Sequence, residues 1–178
     1  MSCKLSPLAT KLSKMLRRDE GIKPTPDGWF EAYSDKEGIT VAGHYIRDTN
    51  IVNALKICGG SCMLLSQEAV DLLLYFDMGE AIQTASRIFN NWKTLSEPRQ
   101  LALANFCYNL GFNRVMKFTE MIKAISREDW TRAADELRFV NGLTKTKPSG
   151  YSVDVGKRCE EVATILETGV YNEEEHTT

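Results

Sequence analysis

Two stretches decide the fold of this chain of 178 residues: LRRDEG at positions 16–21 and YSDKEGITVAGH at positions 33–44. The first predicts that a helix ends at Gly21, because glycine commonly terminates helices. That helix starts at Ser6 and Pro7, a favoured N-cap and a favoured first helical residue. Glu20 therefore lies at the C-terminal end of the helix, where a carboxylate opposes the helix dipole. Helix propensity alone does not account for an acidic residue there.

The segment that contains the second stretch has a different character. Residues 22–47 are punctuated by proline and glycine, with aromatic and β-branched residues between them, which predicts a small, irregular antiparallel sheet with tight turns. Residues 48–64 suggest a short helix that ends at Gly59 and Gly60. The chain therefore begins with one helix followed by a small sheet.

From Ser66 onward the sequence is almost entirely helical. The predicted segments are 66–90, 96–111, 118–125, 128–140 and a last amphipathic helix that ends at Gly169, with a loop over 145–150. Leu72, Leu73 and Phe76 are among the apolar residues of the first of these helices. Segregated sheet and helices define an α+β fold.

We expect one domain over residues 1–178. It has a sheet lobe at about 21–64 and a helical lobe at about 65–170, to which the N-terminal helix 7–20 is added. A cleft between a sheet lobe and a helical lobe would suit an extended polymer.

Composition excludes several classes of protein. The formal net charge is -2 and no block of lysine or arginine stands out, which argues against nucleic acid as a partner. No apolar run approaches the length of a membrane span, so we expect no membrane insertion. The N-terminus lacks the apolar stretch of a signal peptide. A chain that acts on an extracellular substrate is then expected in the cytoplasm first, and another factor must release it.

The five cysteines form no disulfide framework. Their number is odd, and we favour reduced thiols, with a Cys58–Cys62 disulfide as the alternative. A zinc site needs further cysteine or histidine partners, and the chain has two histidines, His44 and His176. We therefore expect neither a metal nor a cofactor.

Two carboxylates are the candidates for chemistry. Cleavage of a glycosidic bond needs a proton donor for the leaving oxygen and a second carboxylate on the other side of the sugar. Glu20 and Asp35 could supply them, but the chain has 24 acidic residues, so a pair alone is weak evidence.

The context of the two carboxylates resembles the phage lysozyme family. That family has a helix ending in Glu-Gly, then a Tyr-x-Asp-x-x-Gly turn, a threonine and a Gly-His, and this chain has each in that order. The resemblance implies that Glu20 protonates the glycosidic oxygen. It also implies that Asp35 and Thr40 position or activate the attacking water, or stabilise the developing oxocarbenium charge. The expected substrate is the glycan strand of peptidoglycan, and the expected outcome is inversion.

The resemblance extends along nearly the whole chain, from Leu8 to Gly169. It includes the stretch PRQLALAN at positions 98–105 and the Gly-Lys-Arg at positions 156–158. It places Tyr108 and Asn109 among the residues that line the cleft, although Tyr108 is about as well explained by packing. Asn105 is expected to be a buried hydrogen-bonding residue. We expect a monomer.

Two structural ion pairs also follow from the resemblance. One joins His44 to Asp77 and weakens as His44 loses its proton. The other joins Asp19 to Arg158 and ties the first helix to the last.

The sequence departs from the family pattern by an insertion at about residues 23–30. Trp29 and Phe30 lie in it. They could stack on a sugar or cover the edge of the sheet, and the second interpretation is slightly favoured.

Lysis of a host cell, as an endolysin, is the favoured role. A lysozyme carried by a virion, a lytic transglycosylase and a non-catalytic protein that binds peptidoglycan or another partner remain alternatives.

Overall fold

A computed structural model describes residues 6–21, 24–34, 39–41, 44–45 and 64–172, and side chains are described in all of these except residues 32–34, 39–40 and 44–45. The predicted short helix at 48–64 therefore lies outside the described residues except for its last residue. The possible Cys58–Cys62 disulfide lies wholly outside them. The chain divides into two compact units, one formed by Met1–Leu12 with Met78–Thr178 and the other by Ser13–Asp77.

The unit formed by Ser13–Asp77 contains the sheet. Its strands are β1 (Phe30–Ser34), β2 (Ile39–Val41), β3 (His44–Tyr45) and β4 (Leu64–Leu65). They lie in the order β3-β2-β1-β4, and every neighbouring pair is antiparallel. This confirms the predicted small antiparallel sheet, while β4 is a strand of two residues that the sequence analysis missed.

Helix α1 (Pro7–Asp19) begins and ends where the sequence predicts. The Ala9 amide donates to the Ser6 Oγ at 3.2 Å, so serine caps the helix. Gly21 takes a φ of 59°, a left-handed conformation that glycine adopts without strain and that stops the helix.

Helix α2 (Gln67–Ile88) buries only some of its apolar residues. Ser66 caps the helix, because its Oγ accepts a hydrogen bond from the Ala69 amide at 3.3 Å. Val70, Leu74 and Met78 are buried at intervals of four residues. Leu72, Leu73, Tyr75 and Phe76 are exposed.

The other unit is helical in its described residues. Its further helices are α3 (Glu97–Val115), α4 (Thr119–Ser126), α5 (Trp130–Arg138), α6 (Gly150–Val155) and α7 (Lys157–Thr168), with a 3₁₀ turn at Trp92–Thr94. Helix α3 is central, since residues 101–107 are all buried and a helix that is buried on every side lies within a core. Its Phe106 makes edge-to-face contacts with Phe118 and Tyr151, with ring centroids 5.1 and 5.0 Å apart.

The end of the chain differs from the prediction of one last helix. Ser149 caps α6 by accepting a hydrogen bond from the Ser152 amide at 2.9 Å. Gly156, with a φ of 46°, then separates α6 from α7. A break at Gly111 inside α3, with a φ of 69°, was predicted correctly as the end of the central helix.

Candidate active site

Glu20 lies at the end of α1 and is half-buried. Its amide donates to the Leu16 carbonyl at 2.9 Å, and the Gly21 amide donates to the Arg18 carbonyl at 3.1 Å, so the last turn is closed. Leu16 is fully buried, and residues four apart share one side of a helix. Glu20 therefore continues the buried side of α1, which fixes its backbone against the core while part of its side chain remains accessible.

The neighbouring carboxylate has a structural partner. Asp19 accepts hydrogen bonds from Arg18 Nε at 3.0 Å and from Arg18 Nη2 at 2.7 Å, and its side chain is only 6% exposed. Asp19 is thus a buried, hydrogen-bonded carboxylate. The predicted pair between Asp19 and Arg158 joins residues of different units and stays a prediction.

Strand β2 carries the predicted Thr40, and β1 pairs with it. Thr40 pairs with Tyr33 in the antiparallel register, and the pair of Ser34 and Ile39 follows at the end of the two strands. Asp35 comes directly after Ser34 in the sequence and lies outside the described residues. The described structure thus gives the backbone position of Thr40 but tests no contact between Glu20, Asp35 and Thr40.

The predicted substrate-binding residues lie in the helical unit. Tyr108 and Asn109 are half-buried and occupy the turn of α3 between its buried segment and the break at Gly111. Arg158 lies over the Tyr108 ring, with its guanidinium carbon 5.9 Å from the ring centroid. One side of the Tyr108 ring therefore faces the guanidinium.

Asn105 is fully buried, and its Oδ1 accepts a hydrogen bond from Arg158 Nε at 2.8 Å. This confirms the expected buried hydrogen-bonding role. The pairing of Asn105 with Arg158 was not predicted from the sequence. The cation–π contact between Arg158 and Tyr108 was not predicted either, because residues 108 and 158 come from helices far apart in sequence and no local pattern links them.

The second predicted ion pair, His44 with Asp77, stays a prediction. His44 pairs with Val41 through the backbone of β3 and β2, but its side chain is not among those described. Asp77 is half-buried in α2.

Among the described residues, no group of three or more histidine, cysteine or acidic side chains could hold a metal ion. None of the helices in the described part of the chain is long and apolar enough to span a membrane.

Comparisons with known proteins now decide the family. The family description "Phage lysozyme" matches residues 28–151. The chain belongs to the phage lysozyme family. It is accordingly a lysozyme-type glycoside hydrolase with peptidoglycan as its substrate.

Three relatives show how far the similarity extends. "Probable T4-type lysozyme 2" of Dictyostelium discoideum is 31% identical over 186 residues, which cover 93% of this chain and 99% of that protein. "Probable T4-type lysozyme 1" of the same organism is 24% identical and covers 93% of this chain and 98% of its own length. "Pre-baseplate central spike protein Gp5" of Enterobacteria phage T4 is 30% identical over 138 residues, 68% of this chain and 23% of that protein.

The family match includes Asp35, Thr40, Tyr108 and Asn109, but it begins after Glu20. Its first residue lies within the segment that the sequence analysis takes as an insertion. The role of Glu20 in this lysozyme therefore depends on its position at the end of α1 and on the Glu-Gly motif.

Proposed function

We propose that the lysozyme is an inverting N-acetylmuramidase that cleaves the β-1,4 bond between N-acetylmuramic acid and N-acetylglucosamine, with Glu20 as the general acid. One observation carries this proposal. Glu20 is a half-buried carboxylate at the end of α1, in the same compact unit as the β1–β2 pair that bears Thr40. The sequence continues from β1 directly into Asp35. A helix end and a strand end are rigid supports for two reacting groups.

The proposed reaction needs one proton donor and one oriented water. Glu20 gives its proton to the glycosidic oxygen as the bond to the anomeric carbon breaks. Asp35 accepts a proton from the water that attacks the opposite face of the sugar, and the Thr40 hydroxyl holds that water as a hydrogen-bond partner. Attack opposite the leaving group inverts the anomeric configuration.

Tyr108 and Asn109 are proposed to bind the glycan. Half-burial leaves part of each side chain accessible, and the Arg158 guanidinium lies over the Tyr108 ring. An aromatic ring beside an amide is a combination that can pack on a sugar and hydrogen-bond to its hydroxyl or acetamido groups. The ion pairs His44–Asp77 and Asp19–Arg158 are proposed to be structural. The arrangement of residues 1–178 as one domain with a substrate cleft is also a proposal.

Host cell lysis is the proposed biological role, with the monomeric enzyme made in the cytoplasm and released to the wall by another factor. The similarity to a central spike protein of a phage supports one alternative, a lysozyme carried by a virion. Detection of the enzyme in purified virions would favour that alternative, whereas its restriction to the lysing cell would favour the endolysin role.

Analysis of the products tests the proposed reaction. Digestion of purified peptidoglycan should release fragments with reducing N-acetylmuramic acid ends, identified by mass spectrometry. Nuclear magnetic resonance during the first turnovers should show the α anomer formed from the β bond. Anhydro ends would instead identify a lytic transglycosylase, and no released fragments would identify a protein that only binds.

A further inference from the structure

The loop that leads into β1 presents a tryptophan on a closed turn. The Thr25 amide donates to the Trp29 carbonyl at 2.7 Å, and the Trp29 amide donates to Thr25 Oγ1 at 3.2 Å. The Gly28 amide donates to the Thr25 carbonyl at 2.9 Å, and Gly28 takes a φ of 83°. Both backbone polar groups of Trp29 are therefore held, so its side chain projects from a defined position.

Burial alternates along the residues that follow this turn. Trp29 is 45% exposed, Phe30 is 3% exposed and Glu31 is exposed. Phe30 pairs with Leu65 of β4, so the insertion buries its phenylalanine and leaves its tryptophan in water. Trp29 directly precedes β1 and Glu31 lies within it; both are exposed and flank the buried Phe30, which is consistent with the alternation of faces along an extended chain. Phe30 was expected to cover the edge of the sheet but is instead a buried residue of β1, an inner strand between β2 and β4, and Trp29 stays exposed.

The polar groups of this face are available to a ligand. In the part of the chain that the structure describes, no acceptor engages the indole N–H of Trp29. Asp27 and Glu31 are both exposed, and neither forms an ion pair with a described residue. An amphipathic ring beside free carboxylate oxygens can pack on an apolar surface and accept hydrogen bonds from hydroxyl groups at the same time.

We propose that Trp29 and Glu31 form an accessory glycan subsite that takes an uncharged N-acetylglucosamine ring. The C–H face of a pyranose ring packs on the electron-rich face of the indole, and Glu31 accepts hydrogen bonds from its hydroxyl groups. Asp27 and Glu31 repel the acidic stem peptide that is amide-linked to N-acetylmuramic acid, so the subsite selects the neutral sugar of the alternating glycan. This inference rests on the proposed function, since it assumes a glycan substrate.

The position of the subsite predicts which kinetic constant it affects. Strand β1 has five residues, so about 13 Å separates the Cα atoms of its first and last residues at the usual rise per residue. Trp29 precedes one end and the proposed catalytic Asp35 follows the other. A ring bound at Trp29 is therefore several sugars away from the reacting bond. It adds binding energy for long glycans and leaves the chemical step unchanged.

Binding of chitooligosaccharides to the Glu20→Gln variant tests the subsite. We expect Trp29→Ala to weaken the binding of chitohexaose about five- to tenfold, the loss of one stacking contact, and to leave chitobiose binding unchanged. Trp29→Phe, which retains a planar ring, should keep most of the affinity for chitohexaose. Trp29→Leu retains apolar bulk without a planar face, so it should lose as much affinity for chitohexaose as Trp29→Ala. It replaces the alanine variant in the test if that variant does not fold.

A matched control comes from the same unit. Phe76 of α2 is 61% exposed, so Phe76→Ala removes an aromatic ring at least as exposed and should leave both affinities unchanged. Equal affinities of the alanine, leucine and phenylalanine variants at position 29 would overturn the proposal, as would an equal loss in Phe76→Ala. The proposed function fails independently, if the wild-type enzyme releases no reducing ends from peptidoglycan.

Discussion

Arg99, near the start of α3, holds the end of α7. Its Nε donates to the Leu166 carbonyl at 2.9 Å and its Nη2 donates to the Glu167 carbonyl at 3.3 Å, which satisfies carbonyls that a helix end leaves without intrahelical partners. Its guanidinium carbon lies 4.0 Å from the centroid of the Trp130 ring. Partial burial lowers the pKa of the Arg99 guanidinium from its ordinary value.

Arg99→Ala should therefore destabilise the lysozyme. A hydrogen bond from a charged group contributes about 1.5–3 kcal/mol and a cation–π contact about 0.5–2 kcal/mol. Since Arg99 is only partly buried and one of its two hydrogen bonds is long, we expect a loss of about 2–4 kcal/mol in the free energy of unfolding. That corresponds to a fall in Tm of about 5–15 °C for a chain of this length.

Urea unfolding followed by circular dichroism measures this loss. Arg99→Lys should recover part of it, because lysine retains the charge but lacks the planar fork. Arg127→Ala is the matched control, since Arg127 is exposed and should change stability by no more than about 0.5 kcal/mol. If the free energy of unfolding of Arg99→Ala lies within about 0.5 kcal/mol of the wild-type value, the capping role of Arg99 is refuted.

Three further predictions concern the helical unit. Hydrogen bonds from Arg138 hold the pKa of Glu160 below its ordinary value. This pair therefore stabilises the fold at pH values above the unfolded pKa of about 4.3, and its contribution is lost as the pH falls through the folded pKa. Glu160→Gln should lower the difference in stability between neutral pH and about pH 3 by about 0.2–1 kcal/mol, a small amount because Glu160 is mostly exposed. Urea unfolding at the two pH values checks this, and an unchanged difference would count against it. Gly142→Ala should cost about 1–3 kcal/mol in calorimetry, since the added Cβ would lie 2.9 Å from the carbonyl carbon of Asp135; a Tm at or above that of the wild type would contradict it. Burial raises the pKa of the Cys107 thiol to about 12, so mass spectrometry should find it labelled by thiol reagents only after unfolding, and rapid labelling of the native enzyme would show that the thiol is accessible.

The ends of several helices were predictable from the sequence because local chemistry determines them. Ser6 and Ser66 cap helices through their own hydroxyl groups, and Gly21 and Gly111 take left-handed conformations that end or interrupt a helix. Each of these signals lies within a few residues of the structure that it specifies.

The features that the sequence analysis missed depend on distant contacts or on very short elements. β4 has two residues and exists only because it pairs with β1. The buried side of α2 could not be predicted, because apolar residues occur on more than one side of that helix. Contacts with the rest of the protein decide which side is buried, and Leu72 and Phe76 lie on the exposed side. The candidate site follows the same rule. The motif around Glu20 was readable, whereas the bond between Asn105 and Arg158 joins residues 53 positions apart.

The rate at which Glu20→Gln cleaves purified peptidoglycan tests the central claim most directly. Glutamine has nearly the same shape as glutamate but cannot donate an acidic proton. We predict a rate at least about 10²–10⁴-fold below the wild type, the usual contribution of a general acid, with an unchanged Tm. Glu80→Gln, at an exposed position of α2, should retain full activity. A Glu20→Gln enzyme that releases reducing ends at a rate close to the wild type would contradict the assignment of Glu20 as the proton donor.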